Sequence, residues 1–88
     1  ENPLTYYRYG DLLEDDGKTD QAVKMFQKAV ELGPLEAEFY AALGRVTHRK
    51  GDKQEGLRLM KLSLELDPDN PWLADTVKRY EEEAAKDN

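Results

Sequence analysis

Apolar residues recur along this chain at helical spacing. Within residues 20–32, Ala22, Phe26, Ala29 and Val30 stand at i, i+4, i+7 and i+8, which puts them on one stripe of a helix. Within 53–66, Gly56, Met60, Ser63 and Leu64 repeat that spacing 34 residues later. No strand-like alternation runs longer than a few residues, so the pattern predicts an all-α chain.

The offset of 34 holds well beyond those two stripes. It relates Tyr6 to Tyr40, Gly10 to Gly44, Gly17 to Gly51, Leu32 to Leu66 and Pro34 to Pro68. Similar residues fill the gaps, as in Tyr9 with Leu43, Val23 with Leu57 and Phe26 with Met60. Residues 3–36 and 37–70 therefore read as two copies of one unit. Gly17 and Gly51 are placed to end helices, where a residue without Cβ takes the left-handed conformation cheaply. Gly10 and Gly44 fall inside helical patterns, where glycine costs about 1 kcal/mol relative to alanine, so close approach of a partner helix is expected there.

A third segment opens with Asn70 and Pro71, an N-cap and a first-turn proline, as Asn2 and Pro3 open the chain. Leu73, Val77, Tyr80 and Ala84 then form one stripe. Lys78 and Glu81 stand where the second unit has Gly44 and Thr47, which breaks the stripe a following helix would need. Residues 71–86 therefore read as a solvated capping helix, and the whole chain, 1–88, as one domain of five helices.

The unit resembles the tetratricopeptide repeat, a 34-residue helix-turn-helix. The family's series matches Tyr6, Tyr9, Gly10 and Leu13, then Ala22, Phe26, Ala29 and Pro34; the second copy reads Tyr40, Leu43, Gly44 and Thr47, then Gly56, Met60, Ser63 and Pro68. Thr47, Gly56, Met60 and Ser63 depart from the commonest choices. The resemblance, which covers 3–70, implies a right-handed α-solenoid of two repeats closed by the fifth helix, with Tyr6, Tyr40 and Phe26 in the core. Leu12 is expected to be uncovered, and Leu62 to pack beneath the cap.

Composition narrows the functions open to such a fold. The 88 residues carry a formal charge of −6, with 36% charged and 39% hydrophobic residues. Nucleic acid and anionic membrane are disfavoured as partners, because phosphate binding depends on Lys and Arg. No apolar run approaches the ~18–20 residues that span a bilayer. No signal peptide opens the sequence, so the cytoplasm is the expected compartment, with the periplasm as an alternative. The chain has no cysteine and a single histidine, His48. A Ser-His-acid triad would need Ser63, which falls on a packing position. Glu81, Glu82 and Glu83 point around a helix rather than converging on a metal. No catalytic residue, metal site or cofactor is expected.

The resemblance also implies a concave face, lined by the first helix of each unit, that binds a peptide or a partner's helix. By correspondence it would carry Leu4, Tyr7, Asp11 and Glu14, then Glu38, Ala41, Ala42, Arg45, His48 and Arg49, with Trp72, Asp75 and Arg79 from the cap. Tyr7 is the candidate anchor, and Arg45 and Arg49 are candidates to accept a partner carboxylate. Chaperone-tail binding is rejected, because only Arg79 fits that subfamily's carboxylate clamp, while Asp11 and Asp75 would repel a carboxylate. Glu14, Asp15 and Asp16 precede Gly17 although acids oppose the dipole there. Their counterparts are His48, Arg49 and Lys50, so attraction across the repeats is expected to offset that penalty. A protein-binding scaffold is the leading function; an assembly element, as a homodimer or part of a longer solenoid, is the alternative.

Overall fold

The computed structural model describes residues 1–86 and is built from five α-helices, with no strand among those residues. Helix α1 spans Pro3–Asp15, α2 Thr19–Leu32, α3 Ala37–Lys50, α4 Lys53–Leu66 and α5 Pro71–Lys86. Asn2 caps α1 by accepting from the Leu4 N–H at 2.9 Å. Asn70 caps α5, accepting from Trp72 and Leu73 at 3.0 and 3.2 Å. The two interior turns are alike. Gly17 and Gly51 have φ of +78° and +114°, and the next residue, Lys18 or Asp52, donates back to Leu13 or Thr47.

Helices neighbouring in sequence pack in series, α1 on α2, α2 on α3, α3 on α4 and α4 on α5. The interior forms two clusters. One joins Leu13, Ala22, Phe26, Ala42, Leu43, Val46 and Leu59, with Phe26 and Val46 fully buried. The other seats the expected α5 stripe, Leu73, Val77, Tyr80 and Ala84, on Ala41, Leu57 and Met60. Burying each large side chain contributes roughly 1.5–3 kcal/mol, so these seams hold the helices together. Ser63 packs as expected, fully buried, and its hydroxyl donates to the Ala37 carbonyl at 2.7 Å.

Three expectations change. Tyr6 and Tyr40 are only half-buried, and the buried aromatic of the second pair is instead Phe39, 5% exposed. Ala42 is buried in the first cluster, 1% exposed, and does not reach the inner surface. Leu62 does not pack beneath α5: it lines a cleft between α2 and α4 with Val30 and Tyr40, and Leu64 packs on the α5 cluster instead.

Candidate functional site

The candidate face is built from α1, α3 and α5, and two contacts fix how these helices lie beside one another. The first joins α1 to α3. The offset from Glu14 to Arg45 is 31 residues, one 34-residue period less one helical turn, which brings the two side chains level. Arg45 grips the Glu14 carboxylate with two hydrogen bonds, Nε to Oε2 at 3.1 Å and Nη2 to Oε1 at 2.7 Å. Arg49 Nη1 lies 3.1 Å from the same carboxylate, and Asp11 Oδ1 is 3.8 Å from Arg45 Nη2. The Glu14 side chain is only 9% exposed. Hydrogen bonds from Arg45 hold its carboxyl below the usual range against the pull of burial, with the charges of Arg45 and Arg49 adding to them. Asp11 is shifted upward, by burial first and by the neighbouring Glu14 and Asp15, against the pull of Arg45.

The attraction expected across the repeats is therefore concentrated in Glu14. Asp15 and Asp16 remain exposed. Lys50 pairs with Asp20 of α2 at 3.0 Å, and His48 turns away to α5.

That turn makes the second contact. The His48 ring stacks on Tyr80, with centroids 3.9 Å apart and planes 7° from parallel, and its Nε2 meets the Glu83 carboxylate. Stacking a polar ring on a buried one gives dispersion contact while the carboxylate satisfies the ring nitrogen. Burial raises the Tyr80 phenol, against the opposing charges of Arg79, Arg45 and Arg49.

Most of the residues singled out from sequence do reach this region, but several are already engaged within the chain. Tyr7 is half-buried, its ring 5.2 Å from Phe39 and 5.8 Å from Phe26. Its phenol is raised by burial first and then by Asp11 and Glu38. Arg45 and, in part, Arg49 are held by Glu14. Ala41 is buried on the α5 cluster at 7% exposure. Glu38, Asp75 and Arg79 are exposed, with Arg79 donating to Thr76 Oγ1 at 3.3 Å. Sequence reasoning missed Glu83 as a partner of this face. Its 35-residue offset from His48, one period plus one, was the available signal.

Trp72 is half-exposed and lines a cleft of about 130 Å³ beside the first turns of α3 and α5. Ala37, Glu38, Ala41, Ser63 and Leu73 also line it. The neighbouring helix start is held by Asn70, whose amide donates to Asp67 at 3.1 Å, and by Thr76, whose hydroxyl donates to the Trp72 carbonyl at 2.8 Å. Among the described residues, no group of acids and histidine is placed to hold a metal ion, and no helix is long and apolar enough to cross a membrane. A family model described as "Tetratricopeptide repeat" matches residues 7–71. No curated protein matches the chain.

Proposed function

The chain belongs to the tetratricopeptide repeat family, and from that premise we propose that it is a non-catalytic module holding a peptide or partner helix against the face of α1, α3 and α5. Repeats of this family generally mediate protein–protein interaction. In this reading residues 3–36 and 37–70 are the two repeats and 71–86 the cap. The supporting observation is that the face is assembled in advance. Glu14 ties α1 to α3 through Arg45, and His48 ties α3 to Tyr80 of α5. A partner then binds without having to order that surface.

The ligand chemistry follows from what is left available. Trp72, Ala41 and Leu73 in the lining of the cleft suit an apolar side chain, and the exposed Glu38, Asp75 and Arg79 offer charges of both signs. Arg45 is not counted as a receiver of a partner's carboxylate, because its guanidinium is already engaged by the Glu14 carboxylate. Neither nucleic acid nor an anionic membrane fits a chain of charge −6.

Trp72 is the sole tryptophan, so its fluorescence reports on the cleft directly. A peptide from a captured partner is expected to shift that emission and to move amide resonances on α3 and α5. Trp72→Ala and Arg79→Glu should each weaken binding about tenfold or more while helicity stays unchanged. Resonance shifts confined to α2 and α4, with affinity indifferent to both substitutions, would refute the assignment. Tyr7→Ala and Arg45→Glu are unsuitable probes, since both residues support the fold.

A further inference from the structure

We propose that the outer face of α1 is the contact between two copies of this chain, paired antiparallel about Leu12. This goes beyond the peptide-binding face, shares no residue with it, and stands whether or not that reading holds.

The internal duplication supplies the control. On α3, Phe39, Ala42, Leu43 and Val46 are covered, with exposures of 5%, 1%, 6% and 0%. Thirty-four residues earlier, α1 carries Thr5, Arg8, Tyr9 and Leu12 at the same register, and all four are exposed. Tyr9 is 52% and Leu12 64% exposed. The same face that α2 helps to cover on α3 is thus left open on α1.

The substitution of Arg8 for the Ala42 type of residue decides what can cover it. A helix resembling α2 packs on a small apolar residue at that step, and would strand a guanidinium beneath it without a partner. The occupant must therefore combine an apolar strip for Tyr9 and Leu12 with a carboxylate for Arg8. A second α1 has both. Asp15 and Asp16 lie seven and eight residues beyond Arg8, which returns them to the same side of the helix about 12 Å away. Both are exposed, at a helix end whose dipole disfavours them. In an antiparallel pair Leu12 meets Leu12 near the twofold axis, Tyr9 flanks it, and each Arg8 reaches Asp15 or Asp16 of the second copy. A twofold pairing makes each of these contacts twice. The pairing rests on one short helix face, so weak association is expected.

Sedimentation equilibrium over a wide concentration range tests this. The average mass is expected to rise toward that of a dimer, and Leu12→Glu to abolish the rise. Arg8→Glu and Asp16→Arg, each alone, should weaken association about tenfold or more by placing like charges opposite one another. An equimolar mixture of those two variants should restore it, because both cross-pairs are then of opposite sign. All three positions are exposed, and circular dichroism checks that the fold is intact. A chain that stays monomeric at the highest concentration overturns the proposal. So does association that survives Leu12→Glu, and so does a mixture that fails to restore what the single reversals lost.

Discussion

In the first helix pair, the step where α1 crosses α2 sets Gly10 against an aromatic ring: a Cβ there would lie 2.6 Å from Phe26 Cε1. In the second pair, Gly44 at the same step faces backbone, with the Gly56 carbonyl 3.1 Å and the Met60 nitrogen 3.2 Å from such a Cβ. The difference comes from two exchanges. Ala22 and Phe26 of the first pair become Gly56 and Met60 of the second. With a ring to bury, the first pair uses glycine as a socket. Lacking the ring, the second removes a further side chain and lets two backbones close on each other. One motif position thus serves two packing solutions, and Gly56 and Met60, two of the four residues that depart from the family's commonest choices, make the second solution work.

Removing the ring should separate the two pairs most widely. Phe26→Ala should cost about 3–5 kcal/mol, leaving a hole beside Gly10, whereas Met60→Ala should fall lower in the 2–5 range because thioether side chains are easier to repack around. Chemical denaturation of both variants measures the gap. The next test concerns the tie between the pairs. Glu14→Gln should cost about 1.5–3 kcal/mol by weakening its charged hydrogen bonds to Arg45. Because the carboxyl of Glu14 is held below its ordinary value of 4.5, its stabilisation is complete above that value and is lost as the pH falls through the depressed one. The acid limb of a stability-versus-pH curve should therefore flatten in Glu14→Gln.

A smaller effect has the opposite sign to what family likeness suggests. Gly56→Ala restores the commoner residue, and helix propensity alone favours it by about 1 kcal/mol. The new methyl would nevertheless meet His48 Cβ at 2.8 Å and the Gly44 carbonyl at 3.0 Å, so a net loss of about 1–2 kcal/mol is expected from overpacking. A rise in melting temperature would show that the two crossings are equivalent after all. Smallest of all, Gly17→Ala and Gly51→Ala should cost about 1 kcal/mol each, alike in both pairs, since each must hold a left-handed residue with open space around it.

The helices, the caps and stops at Asn2, Asn70, Gly17 and Gly51, the tight crossings at Gly10 and Gly44 and the α5 stripe were legible in the sequence, because each is a local signal. Phe39 was hidden by the same repetition: its counterpart Thr5 lies on the uncovered side of α1, so pairing the copies averaged a buried position with an exposed one. Leu62 was misplaced because helical phase alone does not say which neighbour a flank of α4 meets. On the candidate face, register brings α1, α3 and α5 side by side but does not say how their side chains are engaged. Arg45 looks available by register until the geometry shows Glu14 level with it, and His48 looks solvent-facing until Tyr80 lies over it.

The two ties across that face differ in kind. One is ionic and reaches the surface through Arg49, whose side chain is 56% exposed; the other rests chiefly on stacked rings. Rising ionic strength screens the exposed Arg49 arm of the former and leaves the stacked rings of the latter nearly untouched. The row of helices therefore has one salt-soft joint and one salt-hard joint, and any bending that accompanies changes in the surrounding medium should be concentrated between α1 and α3.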